Sequence, residues 1–150
     1  MTDFLTTLEN AIANRLEPLK DYGLDVVNSP HRCSGGRAKA IALFYFTDQS
    51  ATDEGSCNQT REINLQVEIK ACDQRSHHVA YPYVIALDVM LHGWTPKAGK
   101  NGQITFSSVR YVPARTKNGV EWIYDMTFKL KVSHCMPRDV ENAIAEIFDL

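Results

Sequence analysis

Residues 61–72, REINLQVEIKAC, alternate between apolar and polar side chains without a break. The apolar members are Ile63, Leu65, Val67, Ile69 and Ala71. Because successive side chains of a strand point to opposite faces, this pattern predicts a strand with one face in a core and the other toward solvent. The rest of the chain must therefore supply partner strands and a layer that covers one face.

Four further segments have strand patterns: Leu24–Val27, 39–47, Ile104–Val112 and Glu121–Ser133. The second, KAIALFYFT, is apolar at almost every position, which predicts a strand covered on both faces. The last two flank Lys117-Asn118-Gly119, a tight-turn signal, so we expect them to pair as an antiparallel hairpin. The polar segments 28–38 and 48–60 predict loops.

Three segments have the helical period: residues 3–17, Tyr81–His92 and a final helix opened by Pro137. In the first, an apolar stripe is formed by Phe4, Leu5, Leu8, Ile12 and Leu16. In the last, one face carries Val140, Ile144, Ile147 and Phe148. The order α-β-β-β-α-β-β-α predicts one α+β domain over residues 1–150, with a mostly antiparallel sheet flanked by helices.

The second helix runs into LHGWTP, which raises the question of whether His92-Gly93-Trp94 is reactive or only a helix end. Gly93 suits the left-handed position that follows a helix, and Pro96 prevents the helix from resuming. A histidine in the last turn interacts favourably with the helix dipole. We therefore interpret the motif as a helix end with Trp94 folded back onto the core.

The composition and motifs point away from most catalytic classes. Among 150 residues the net charge is −2, which provides no overall attraction to nucleic acid or membrane. The opening residues MTDFLTTLEN have neither a basic nor an apolar signal region, so we expect no signal peptide. The sequence contains no membrane-length apolar run, nucleophile elbow, zinc-protease motif or phosphate loop. In the cytosol, where we expect the protein to be made, the four cysteines should be reduced thiols. They form no C-x-x-C pair, so we expect no metal site, and no motif indicates a cofactor. The glycine-rich segment 34–37 is interpreted as a loop rather than an anion site.

Paired carboxylates are also unconvincing, because Glu62 and Glu68 lie about 20 Å apart along one strand. Two other functions stay open: a small enzyme that uses His92 or a Cys/His pair, and a nucleic-acid-binding module built on the basic hairpin. Fast alkylation of one cysteine would favour the first. Salt-sensitive binding to arbitrary DNA would favour the second.

Charge layout is the most informative functional signal. The stretch from Val89 to Val120 contains no acidic residue, whereas both ends of the chain are rich in them. Opposed patches on a nearly neutral chain favour head-to-tail association. The predicted interface residues are Lys97, Lys100, Arg110, Arg115 and Lys117.

Short signatures along the chain resemble a known family. They are LDVV, KAIALFYF, REI-x-LQV, LHGW-x-P and W-x-Y-x-M-x-F, spread over most of residues 3–133. The pattern resembles the small tail proteins of Mu-like phages, which are similar to the tail terminator of long-tailed phages such as lambda.

The resemblance implies a virion protein of the tail or neck, assembled in the bacterial cytoplasm. Such a subunit forms a hexameric ring that caps the tail tube, ends its polymerisation and joins it to the head–neck connector. It implies no reaction and no cofactor, with genomic DNA passing the lumen without specific binding and no membrane contact. Another neck or head–tail connector protein of the same particle is the alternative.

Overall fold

The computed structural model describes residues 4–27, 39–53, 58–72, 76–97, 100–112, 121–135 and 140–148. The helices are α1 (Phe4–Leu16), α2 (Tyr81–Leu91) and α3 (Val140–Phe148), with 3-10 helices at Glu17–Tyr22 and His77–Ala80. The strands are β1 (Leu24–Val27), β2 (Ala40–Asp53), β3 (Asn58–Cys72), β4 (Lys100–Asn101), β5 (Thr105–Val112) and β6 (Glu121–Cys135). Within these residues, no helix combines the length and apolar character that crossing a membrane requires.

All six strands belong to one sheet. The order is β1-β2-β3-β6, and β4 and β5 follow one another along the outer edge of β6. Only β1 and β2 are parallel, while the other pairs are antiparallel. The α+β class, the element order and the hairpin of the last two long strands are therefore confirmed, with the two-residue β4 added.

The alternating strand lies at the centre of the sheet, between β2 and β6. Every apolar member from Ile63 to Ala71 is fully buried, and the residues between them are partly exposed. On β6 the same face carries the buried residues Met126, Phe128, Leu130 and Val132. Helices α1 and α2 cover this face, with Leu8, Ile12, Leu16, Leu87 and Leu91 at most 1% exposed. Burial of each such side chain stabilises the fold by about 1.5–3 kcal/mol.

Two predictions for the second strand are wrong. Strand β2 continues to Asp53 and β3 begins at Asn58, so most of the predicted loop 48–60 is a hairpin ladder. Polar side chains do not prevent backbone pairing. After a register shift between Phe46 and Gln49, β2 and β3 continue to pair as far as Asp53 and Gln59. Residues 54–57 of that predicted loop lie outside the described residues.

The other error concerns how β2 is covered. Ala40, Ala42 and Phe44 are buried, but Ile41 and Leu43 are half-buried and Tyr45 is exposed. Helices α1 and α2 cover one face of the sheet. On the opposite face, called here the open face, the described side chains are partly or largely exposed. An apolar run by itself did not distinguish full burial from an apolar but uncovered face.

Helix α3 differs from the other two helices. Its predicted start at Pro137 lies outside the described residues, and the described helix begins at Val140. Each of its described side chains is exposed, and none contributes to the hydrophobic core. The predicted apolar face therefore exists, but in this chain nothing described covers it.

Candidate interaction surface

The His92-Gly93-Trp94 motif is a structural helix end. Gly93 has a φ of 81°, and its N–H donates to the carbonyl of Ile104 over 2.8 Å. The Phe106 N–H donates to Nδ1 of His92 over 3.0 Å. The imidazole therefore helps to attach the end of α2 to β5. The predicted helix end is confirmed, with His92 as the residue that follows the last turn.

Trp94 folds back as predicted and packs against the core. The Arg15 guanidinium lies 5.4 Å from the centre of the Trp94 ring, and Arg15 Nε donates to the Met90 carbonyl over 2.9 Å. Cation–π attraction and a charge-assisted hydrogen bond thus join α1 to the last turn of α2.

Helix α2 is apolar on almost all sides, although only one side meets the core. Leu87 and Leu91 are fully buried, whereas Tyr81, Ile85 and Val89 are 41%, 62% and 71% exposed. The exposed three recur at intervals of four residues, so they form a stripe on the outward side of the helix. A helix that is apolar all round is typical of complete burial, which the single chain does not provide.

Edge strand β5 extends this apolar stripe. Val109 lies opposite the buried Met126, and Tyr111 lies opposite Tyr124, so both point to the helix-covered face of the sheet. They remain 43% and 44% exposed. We call Tyr81, Ile85, Val89, Val109 and Tyr111 together the α2–β5 surface.

Aromatic rings in edge-to-face and tilted contacts connect the two parts of the α2–β5 surface. Tyr124 contacts Tyr81 at 6.1 Å and Tyr111 at 5.4 Å between ring centres. The cluster continues through Trp122, 6.1 Å from Tyr111, to His77 at 5.5 Å. Burial raises the pKa of Tyr124, and its hydrogen bond with Tyr81 adds to this, so the phenol stays neutral in ordinary buffers. Rigid aromatic groups of this kind are enriched in protein interfaces.

Sequence reasoning missed this cluster, because its members come from three separate segments. The signals available were the aromatic residues of β6 and the adjoining His77-His78 and Tyr81. Only the antiparallel register of β5 and β6 brings Tyr111 beside them. Nothing local in the sequence specified that register.

The structure locates three of the five predicted basic interface residues. Lys97 is exposed after α2, and Lys100 is in β4, on the same edge of β6 as β5. Arg110 is on the open face, with its side chain 77% exposed and its guanidinium 3.5 Å from the Asp125 carboxylate. Arg115 and Lys117 lie outside the described residues. Lys100 and Arg110 thus lie along the same edge of the sheet, which is called here the basic border.

A pair of carboxylates on the open face was also missed. Glu68 lies directly opposite Asp125 across β3 and β6, whereas the sequence offered only Glu62 along the same strand. Burial raises the pKa of Glu68, and the neighbouring Asp125 charge raises it further. Arg110 on β5 sits opposite Asp125 and offsets part of this repulsion. The row is a structural balance of charges across three strands.

The metal and thiol candidates add no site to this surface. Among the described residues, no group of three or more His, Cys, Asp or Glu side chains could hold a metal ion. Cys33, Cys57 and the glycine-rich segment 34–37 lie outside the described residues. Cys72 and Cys135 end β3 and β6, and their side chains are not described.

Comparison with known proteins identifies the fold but no family. Neither a protein-family model nor a curated protein matches the sequence. The fold is similar to that of a chain in a solved structure described as the virion of a native gene transfer agent (GTA) particle, with a TM-score of 0.69 and 14% identity. The likeness covers 85% of this chain and 95% of that chain.

Proposed function

We propose that this protein is a structural subunit of a phage-like virion, and specifically a tail terminator. In this role it forms a hexameric ring that caps the tail tube, ends tube polymerisation and joins the tail to the head–neck connector. The observation that carries the proposal is the shared fold with a chain of the GTA particle virion, over almost the whole of that chain. The residue signatures that resemble tail terminators agree with it.

The distribution of apolar surface supports an assembling subunit. Monomeric soluble proteins rarely leave large contiguous apolar patches exposed. The α2–β5 surface leaves Ile85 and Val89 more than half exposed, next to an ordered aromatic cluster. A partner that covered this region would remove that surface from water and stabilise the assembly. The protein would thus act by binding, without a cofactor or a membrane.

Charge supplies the second part of the proposal. Lys97, Lys100, Arg110, Arg115 and Lys117 would meet an acidic patch of a neighbouring subunit or of the tube. Complementary charges set orientation and association rate more than affinity. With a net charge of −2, a ring of such subunits would let genomic DNA pass without holding its phosphates tightly.

The test of the proposal is to mix the purified protein with its own tail tube protein during polymerisation. Negative-stain electron microscopy would measure tube length and density at the tube ends. The expected result is shorter tubes with an added ring at one end. Tubes of unchanged length with bare ends would reject the terminator function. Binding to portal-side neck components instead would favour the alternative connector function.

A charge-reversal pair tests the role of the basic border. Arg110→Glu should abolish ring addition to tube ends while the chain still folds, because the Arg110 side chain is mostly exposed. It puts a third carboxylate beside Asp125 and Glu68, so a small loss of stability is expected. The matched control is Lys20→Glu. Lys20 is also an exposed basic residue in a long ion pair, with its ammonium 4.0 Å from the Glu17 carboxylate. Equal capping by both variants would reject an interface at Arg110. Circular dichroism verifies that both remain folded.

A further inference from the structure

Two exposed apolar surfaces are not covered by any part of the chain that the structure describes. One is the α2–β5 surface, and the other is the stripe on α3 formed by Ile144, Ile147 and Phe148. These three are 51%, 44% and 75% exposed. Their spacing of three and four residues places them on one side of the helix. We propose that the α3 stripe of one copy docks on the α2–β5 surface of the next copy.

Covalent geometry favours a second copy as the occupant, because it limits how much of its own α2–β5 surface the α3 stripe can cover. Tyr124, which joins Tyr81 to Tyr111, precedes Cys135 by eleven residues of β6, or about 36 Å. From Cys135 the intervening chain and the first turn of α3 carry Ile144 no farther than roughly 24 Å. Ile144 therefore does not reach the aromatic end of its own α2–β5 surface. The same stripe from another copy has no such restriction.

Charge complementarity favours this pairing. Helix α3 carries the exposed acids Glu141 and Glu146 and no basic residue. Val89, Val109 and Tyr111 of the α2–β5 surface belong to the Val89–Val120 stretch that has no acid, and exposed Lys97 follows the helix end. Asp88, the one acid of α2, is only partly exposed, and one of its carboxylate oxygens is buried. An acidic amphipathic helix would therefore meet an apolar surface that has the basic residue Lys97 beside it.

The contact joins two different surfaces, so each copy offers one surface to the copy before it and the other to the copy after it. Head-to-tail contacts of this type close into rings when the rotation between copies allows it. The inference deepens the proposed function, and its ring aspect rests on that function. The contact itself can be tested without any tail component.

The experiment uses two variants of the full chain that each remove one surface. Phe148→Asp with Ile144→Asp damages α3, and Ile85→Asp damages the α2–β5 surface. All three side chains are more than half exposed, so the core is untouched. The matched control is Tyr22→Asp, an aromatic residue as exposed as Phe148 but outside both surfaces. Urea denaturation verifies that every variant keeps the wild-type midpoint.

Sedimentation velocity then measures association at increasing concentration. We expect the wild-type and Tyr22→Asp chains to self-associate, and each surface variant to associate at least ~30-fold more weakly, as for the loss of a central anchor residue. Mixed in equal amounts, the two variants should form a one-to-one dimer and nothing larger, because one intact copy of each surface remains. A wild-type chain that stays monomeric at millimolar concentration, or a mixture that stays monomeric, would overturn the proposal.

The proposed function and this contact fail in different ways. Bare tube ends together with a one-to-one dimer of the variants would reject tube capping and leave the contact intact. Capped tubes together with surface variants that associate like the wild type would reject the contact alone.

Discussion

Helices α1 and α3 have the same kind of sequence pattern and opposite environments. In α1, Leu8 and Ile12 are at most 1% exposed, whereas in α3 Ile144 and Phe148 are 51% and 75% exposed. The periodicity is comparable, so the difference lies in what the chain places opposite each stripe. The central sheet covers α1, and no described element covers α3. An amphipathic pattern thus predicts that one face of a helix will be buried, but it does not indicate whether the same chain or another molecule buries it.

Helix α2 combines both situations in one element. Leu87 and Leu91 face the same core as α1, while Ile85 and Val89 face solvent as the α3 stripe does. The sequence of α2 is apolar on both sides, and its composition alone therefore suggests complete burial. If burial decides the contribution of each stripe, substitutions in the covered stripes should lower the free energy of unfolding more than those in the uncovered stripes.

The largest expected difference is between equivalent truncations in α1 and α3. Ile12→Ala should lower the free energy of unfolding by about 2–5 kcal/mol, because it leaves a cavity in the core. Ile144→Ala should change it by less than about 0.5 kcal/mol in the dilute monomer. Urea denaturation of both variants at low protein concentration measures this. Similar losses in the two variants would mean that α3 packs on its own chain.

A smaller effect is expected where α1 meets the end of α2. Arg15→Ala removes the hydrogen bond to the Met90 carbonyl and the guanidinium beside Trp94. The expected loss is about 1–2 kcal/mol for a partly exposed charge-assisted contact. Arg15→Lys is the control that keeps the charge and loses the planar donor, so it should recover only part of the stability. Full recovery would show that charge alone holds the two helices together.

Replacing the glycine that ends α2 should lower the free energy of unfolding by about the cost of one unfavourable backbone conformation. Gly93→Ala places a side chain at a φ of 81° with open space around it, so backbone strain is the only expected cost, about 1 kcal/mol. Gly93→Asn should cost less, since asparagine tolerates this conformation. The control is Gly102→Ala, where an added Cβ would meet only an ordinary contact at 3.4 Å from the Lys131 carbonyl. Thermal unfolding measures all three.

The smallest effect concerns the open face, which α1 does not cover. Because the pKa of Glu68 is raised in the folded protein, the folded state holds this proton more tightly than the unfolded state does. Stability therefore decreases as the pH rises from the ordinary glutamate pKa, about 4.3, through the raised one. Glu68→Gln should increase the free energy of unfolding by roughly a few tenths of a kcal/mol at neutral pH. It should not change this free energy below the ordinary glutamate pKa.

The control for this variant is Glu62→Gln on the same face. Glu62 lies opposite Lys131 and 4.0 Å from the Lys129 ammonium, so no like charge opposes it. It should show no stabilisation at neutral pH. A similar gain in both variants would contradict the assignment of the effect to the Glu68–Asp125 pair. Urea denaturation over a series of pH values measures both.

Much of the fold could be predicted from local pattern. The alternation from Ile63 to Ala71 determined a strand with one buried face, and Gly93 with Pro96 determined where α2 ends. The turn signal at 117–119 indicated the β5–β6 hairpin, although those turn residues lie outside the described part of the chain. These features succeed because strand period, helix capping and turn chemistry act over a few neighbouring residues.

Features that depend on distant segments were decided only by the tertiary structure. The length of β2 beyond Phe46 and the placement of Glu68 opposite Asp125 both follow from pairing between strands. The α2–β5 surface joins residues of α2 to an edge strand that comes later in the chain, and the exposure of α3 follows from which elements pack together. A sequence pattern reports the preference of a segment for burial, whereas register and packing choose its neighbour. The chain therefore determines by itself which stripes are apolar, and only the folded arrangement decides which of them remain available to another molecule.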